Sequence, residues 1–402
     1  MTHKASLPPQ WGRLVLWCLF AAYLAFIAVQ YREGHLAAAA GERPVYTDFT
    51  PTYAAALLLR EHPPQMLYHH ATLRKALLQA AHAAYPGLDD RQARAVGFAP
   101  WQYPPSFIFA VAPLGQLAYY PALAFWLVLT SLPFLAAMRG ILPAAQAVPL
   151  ALAAPPTFYN LMFGQTGFLS AGLIALGLLA LRRRPLLAGI LIGLASIKPH
   201  LGILLPFALA AGAHWRAFIS AMATVTGLIA FSIVSFGPEP WYAFIGTLEF
   251  QRQGFEVGAY SYKSMVTVLS AARLGGLSLA AASWLQAAAS AALLLAVVLV
   301  WRSRHCRTRP DLQYALLCFA TPLVLPMAYL YDLVLIVPGI AWLLRDMQTQ
   351  GYRRAEPMLL AAAVGALLPS LYLAKHLSLQ VAPLCLLLLA GLVLHRLYRP
   401  AQ

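Results

Sequence analysis

The sequence predicts an all-α polytopic membrane protein, a bundle of about twelve transmembrane helices with a large first non-cytoplasmic loop that carries amphipathic helices. Three observations lead there. Of its 402 residues, 61% are hydrophobic and only 10% charged, with a mean hydropathy of +0.67. Apolar runs of roughly 17–25 residues, the length that crosses a hydrocarbon core, recur from end to end. Basic residues gather in the short breaks between them: Arg182, Arg183 and Arg184; Arg302, Arg304, Arg307 and Arg309; Arg353 and Arg354; Arg396 and Arg399. That is the pattern of the positive-inside rule, which expects these breaks in the cytoplasm.

Taken in order, the first apolar run spans Leu14 to Val29, with Lys4 and Arg13 before it and no small-residue cleavage site after it. It reads as an uncleaved first helix leaving the cytoplasm. Residues 31–103 then form the first outer loop. Phe49, Tyr53, Ala56 and Leu57 recur at helical spacing, as do Leu73, Leu77, Ala80 and Ala84. Two short helices, over Phe49–Arg60 and Thr72–Tyr85, are expected to lie on the outer membrane surface. The stretch from Pro104 to Met138 is too long for one span and is interrupted by Pro113 and Pro121; it reads as a half-helix before a full span, or as a tight pair. Keeping Arg139 inside favours an odd number of crossings. Further spans are expected near 145–160, 165–181, 185–198, 200–213, 217–236, 276–301, 311–328, 333–345, 356–374 and 378–396. A second outer loop covers 237–276, and residues 1–402 form a single membrane domain.

The +15 formal charge and pI near 9.9 do not indicate nucleic acid, because no basic patch carries the aromatic spacing of such a binder. The 4 cysteines, Cys18, Cys306, Cys318 and Cys385, lack metal-ligand spacing and read as buried bystanders. A phosphate-binding P-loop, a dinucleotide fingerprint and an HExxH metal motif are all absent from the sequence, which disfavours a nucleotide-driven pump; no cofactor or metal is required, and a carboxylate-bound cation is the alternative.

The polar residues that anchoring does not explain fall on the face opposite the arginines. Asp48, in VYTDFTPTY, follows the first helix: it reads equally as a general base for a sugar hydroxyl and as a helix N-cap. Lys198, in LIGLASIKPHLGILLPF, is costly at bilayer depth unless it meets a cavity or a partner, and Pro199 marks a broken helix there. Its ammonium suits a lipid phosphate; the competing readings are snorkelling and a salt bridge to a carboxylate such as Asp332. Asp332, in AYLYDLVLIVP, reads equally as a site residue and as a loop acid or cap. Asn160 and Gln165, in FYNLMFGQTGF, flank a Gly hinge and offer amides to sugar hydroxyls or to neighbouring helices. Tyr103 closes the loop through Pro104 and Pro105, and His200 is more often structural at such depth. Arg252, Tyr262 and Lys263 are positioned to meet a phosphate but are solvated loop groups by default. Tyr53 and Tyr331 complete the candidate substrate-binding set. Nucleotide sugars are scarce outside the cell, so a sugar carried on a membrane lipid phosphate suits an outer-face site.

The segments YTDFTPTYAAA, LYHHATLRKAL, PWQYPPSFIFAVAPLGQL, FGQTGFLSAGLIALGLLALRRRPLLAGILIGLASIKPHLGILL and YLYDLVLIVP follow one another as they do in a known family. From Asp48 to about Leu344 the chain resembles the membrane glycosyltransferases of family 87, in the GT-C superfamily. The resemblance implies a GT-C-like bundle that takes a sugar, often mannose, from a polyprenyl phosphate on the non-cytoplasmic face, with a lipid or glycan as acceptor. It implies Asp48 as the base, and donor phosphate near Lys198, with Arg252 or Lys263 in support. Family members that mannosylate mycobacterial lipids have histidines at the late outer turn, where this chain has Tyr331 and Asp332. A bacterial inner (plasma) membrane protein with its site facing outward is the expectation. The rival reading is a transporter or lipid flippase, which also uses broken helices, though no internal repeat is evident; a purely structural membrane protein leaves the clustered charges unexplained.

Overall fold

A computed structural model describes residues 10–32, 47–89, 98, 100–256, 260–353 and 355–398. Among them the chain is helical throughout, its one β feature an isolated antiparallel bridge between Met265 and Tyr329. Four helices among the described residues are long and apolar enough to cross a membrane: Gly12–Tyr31, Tyr119–Ile141, Trp215–Phe236 and Leu279–Arg302. A fifth arises if Glu356–Gly365 and Ser370–Leu377, bent by 57°, count as one span. Among the described residues, four or five spans of full length thus stand where about twelve crossings are expected. Most of the other expected spans are present as shorter or broken helices, because the chain carries a proline or a glycine where a smooth span would continue. The expected 145–160 span breaks at Ala154 into Ala144–Ala153 and Pro155–Phe163. The expected 185–198 and 200–213 spans are Pro185–Leu194 and Leu205–Ala211, joined through two 3-10 turns, Ala195–Ile197 and Pro199–Gly202. The stretch after Pro104 resolves into short turns, Pro105–Phe107, Ile108–Val111 and Ala112–Gln116, before the full helix Tyr119–Ile141.

Two hydrophobic clusters organise these pieces. The larger runs from Phe134 and Phe168 through Phe319, Leu333 and Trp342 to Leu397. The smaller joins Phe49, Tyr53, Leu73, Leu77, Trp101, Phe107, Trp126 and Ile197. The two amphipathic helices expected in the first loop are present as Phe49–Glu61 and His70–Ala84. They do not merely rest on a membrane surface: their apolar faces bury Phe49, Ala54, Ala55 and Ala56, and Leu73, Leu77 and Ala80, inside the smaller cluster. The second outer segment is largely helix, Glu239–Glu256, rather than loop.

The arginine breaks converge. Arg182 donates to the carbonyl of Arg307, and Arg307 to that of Ala211 at 3.4 Å. Arg309 binds Asp346 at 2.6 Å and the carbonyl of Arg396 at 2.6 Å. Arg396, buried, binds both Asp346 and Glu356, and Arg353 meets His395 at 3.0 Å. Several of these arginines are thus engaged by carboxylates and helix-end carbonyls, beyond any contact with headgroups. Lys4, Arg354 and Arg399 lie outside the described residues. Cys306, Cys318 and Cys385 are buried and unpaired as expected, whereas Cys18 is exposed on the first helix.

Candidate active site

The site is built where the two hydrophobic clusters meet. Asp48 immediately precedes Phe49, whose buried ring stands edge-on to Tyr119 in the smaller cluster. The hydroxyls of Thr47 and Thr50 share hydrogen bonds with the Tyr119 hydroxyl at 3.0 and 2.9 Å, fixing the entry to the helix. Asp48 occupies the N-cap position, yet its side chain makes no capping hydrogen bond. Its carboxylate instead accepts from Gln165 Nε2 at 3.2 Å. Gln165 reaches it because Gly164 turns the chain at φ +66°, and because a Cβ on Gly164 would stand 2.7 Å from that of Phe49. Only glycine satisfies both demands there.

Lys198 arrives from the broken helix. Its backbone at φ −124°, ψ 79° has left the helical region, as the residue before a proline does. The neighbouring Ile197 packs in the smaller cluster, so the ammonium is delivered to the seam. There Lys198 is only 5% exposed; Nζ lies 3.0 Å from Asp332 Oδ1, 3.3 Å from Gln165 Oε1 and 4.9 Å from the centre of the Tyr331 ring. Asp332, 2% exposed, comes from the larger cluster side and also accepts from the Tyr329 backbone N–H at 3.0 Å. The salt bridge that sequence reading set against a site role is therefore made, and it is made inside the candidate site. Tyr103 donates its hydroxyl to Gln165 Oε1 at 3.2 Å. Asn160 Oδ1 accepts from the Gly167 N–H at 3.0 Å, while its Nδ2 is buried without a protein partner. A Cβ on Gly167 would stand 2.7 Å from the Tyr331 carbonyl, so this glycine admits the Tyr331–Asp332 turn against the Gln165 segment.

Asp48, Tyr103, Asn160, Gln165, Lys198, Tyr331 and Asp332 thus occupy one neighbourhood. His200 is exposed and within electrostatic reach of Lys198 and Asp332. The remaining candidates are engaged elsewhere. Tyr53 donates to the Leu117 carbonyl at 2.8 Å, which is a packing role. Arg252 pairs with Glu249 at 2.8 Å on an exposed helix face, Lys263 donates to the Lys375 carbonyl at 3.2 Å, and Tyr262 lies under Arg273. None of these contacts joins the Asp48–Lys198 cluster. Sequence reasoning missed Tyr329 as a site residue. Its ring stacks on Tyr331 at 5.4 Å, and the Met265 bridge holds its backbone. In an apolar strip its one signal was the spacing of three to Asp332.

Burial lifts the Asp48 carboxyl to about 6, against the hydrogen bond from Gln165 and the charge of Lys198, which lower it; the charge of Asp332 raises it. The arrangement therefore offers a carboxylate near its titration point beside a fixed ammonium, with an amide between them. Among the described residues no three His, Cys, Asp or Glu side chains gather as metal ligands. Two open grooves, one between Tyr68–Ala71 and Ala243–Phe250 and one between Arg13–Trp17 and Ala144–Pro149, are lined by neither Asp48 nor Lys198.

A family model described as glycosyltransferase family 87 matches residues 101–326, more than half of the chain. The matched stretch holds Tyr103, Asn160, Gln165 and Lys198 but not Asp48 or Asp332. No curated protein and no solved structure matches the chain.

Proposed function

The chain belongs to glycosyltransferase family 87, and on that premise we propose that it moves a sugar, a mannose-like hexose or a pentose, from a polyprenyl phosphate to a hydroxyl of a lipid or glycan acceptor. The transfer takes place on the non-cytoplasmic face of a bacterial inner membrane, with inversion at the anomeric carbon. Asp48 takes the proton of the acceptor hydroxyl. The freed oxygen attacks the anomeric carbon, the bond from that carbon to the phosphate oxygen breaks, and polyprenyl phosphate leaves with the electron pair. Lys198, already poised against Asp332, neutralises the phosphate charge as it develops. The tyrosines Tyr103, Tyr329 and Tyr331 supply apolar faces for a sugar ring.

One observation carries this reading: a general-base candidate and a cation hold opposite ends of a single amide, with Gln165 bound to Asp48 at 3.2 Å and to Lys198 at 3.3 Å. A displacement at carbon requires a base on one side of the centre and charge stabilisation on the other. Arg252 and Lys263, held elsewhere, are not assigned to the donor phosphate. The test is incubation of the purified protein with a panel of polyprenyl-phosphate sugars and acceptors, with products read by mass spectrometry. One donor is consumed in register with a new glycoside, and Asp48→Asn lowers that rate by about 100-fold or more. Undiminished transfer by Asp48→Asn would remove the base from the scheme. Uptake into reconstituted vesicles without any glycoside would favour transport.

A further inference from the structure

We infer that Gln165 is a positioning residue whose amide, locked by three donors on its oxygen, pins one oxygen of the Asp48 carboxylate and leaves the other to accept the proton. This rests on the reading of Asp48 as the base. Gln165 Oε1 lies 3.1 Å from the Thr166 backbone N–H, 3.2 Å from the Tyr103 hydroxyl and 3.3 Å from Lys198 Nζ. A backbone N–H and an ammonium are donors only, so the amide cannot be reversed without setting donor against donor. Its NH2 group is therefore obliged to face Asp48, and it meets Oδ2 at 3.2 Å. At 9% exposure there is little water to take over any of these bonds.

The amide also carries charge information. A cation on Oε1 polarises the amide and strengthens the hydrogen bond that its NH2 donates. Lys198 thus acts on Asp48 both through space and through Gln165. The other groups facing Asp48 are Asp332, Tyr329 and Tyr331, from the turn that precedes the Ile336–Gln350 helix. Asp332 opposes ionisation of Asp48, while the two phenols are neutral in the working range. Removing the Gln165 donor takes away an interaction that favours the carboxylate and leaves burial and Asp332 against it. The hydrogen bond from Gln165 is among the influences that lower Asp48, which agrees in sign.

The variant is Gln165→Met, close in size but without donor or acceptor. The acid limb of kcat/KM against pH moves up by about one unit, and kcat falls about 10-fold while KM for the donor changes less than about 3-fold. A second readout needs no turnover: the carboxyl band of Asp48, isolated as the infrared difference between wild type and Asp48→Asn, titrates at higher pH when Gln165→Met is the background. A titration midpoint that does not move overturns the positioning role, even if activity is lost. Full activity in Asp48→Asn is a different result: it overturns the base reading itself. An inactive Asp48→Asn with an unmoved midpoint overturns only the role of Gln165.

Discussion

Asp48 is held in a place that costs it stability. Its folded carboxyl is lifted from 3.8 to about 6, so the folded chain binds this proton more tightly than the unfolded one does. The protonated form favours folding, and stability falls as pH rises through the window between those two values. At neutral pH the ionised group is a liability that function retains. Asp48→Asn is therefore expected to melt at a higher temperature than wild type at pH 7.5, with the difference vanishing near pH 3.5, by thermal unfolding in detergent. An equal or lower melting temperature at pH 7.5 contradicts the burial argument. At this scale the sequence spoke through anomaly. A lysine before a proline in an apolar run is costly unless it meets a partner, and an aspartate at a loop's end reads as readily as a cap; both come to the candidate site. Gln165 was legible as an amide beside a glycine, but its bridging role depends on which side chains the fold brings to it. Arg252 and Lys263 were less legible, because a charge in a segment read as loop has no implied direction. With 239–256 helical, Arg252 pairs with Glu249 three residues back.

Elements fail where they are needed to fail. The helix Pro185–Leu194 gives way to 3-10 turns around Lys198, and the turn Leu330–Leu335 delivers Asp332 before the Ile336–Gln350 helix begins. Each break places a charged side chain at the seam between the two apolar clusters, where an unbroken helix would turn it toward lipid or into the core. The periodicity of 49–60 and 72–85 announced the two loop helices well, because burial of one face is written in the spacing of apolar residues. It left open what those faces bury against: the partners Trp101, Phe107 and Trp126 are distant in sequence and equally apolar. The Lys198–Asp332 pair joins the two breaks, and both partners are buried, so removing one leaves an uncompensated charge. Lys198→Met and Asp332→Asn are each expected to destabilise by about 3–5 kcal/mol. The double variant should recover much of that loss, since neither charge is then stranded. Additive losses in such a double-mutant cycle, measured by denaturant unfolding in micelles, would show the pair to be uncoupled.

At the scale of the molecule, three helices link the candidate site to the arginine network. Gly167–Ala180 starts beside Gln165 and ends before Arg182; Pro185–Leu194 returns from Arg184 toward Lys198; Ile336–Gln350 runs from Asp332 to the network around Asp346. At 1.5 Å per residue a 14-residue helix such as Gly167–Ala180 is about 21 Å long. A hydrocarbon core is about 30 Å thick. Such a helix is about 9 Å shorter than a full crossing. If the arginines lie at one boundary, as the proposed orientation requires, the site end of this helix falls short of the other, where the phosphate of a membrane lipid would reach it more readily than a soluble nucleotide. Polarity and charge reveal where the chain turns but not how long each helix is, so the expected count of about twelve says nothing of segments as short as Gly167–Ala180. The orientation itself is open to a direct test. His62 and Arg183 are both exposed; the first ends the helix that Asp48 begins, in the expected outer loop, and the second lies in an arginine break. With Cys18 replaced by serine, the remaining cysteines are buried and silent. A membrane-impermeant maleimide applied to intact cells should label His62→Cys and spare Arg183→Cys until the membrane is permeabilised. The reverse pattern would put the first loop, with Asp48, on the cytoplasmic side, where nucleotide sugars are plentiful and the case for a polyprenyl-linked donor fails.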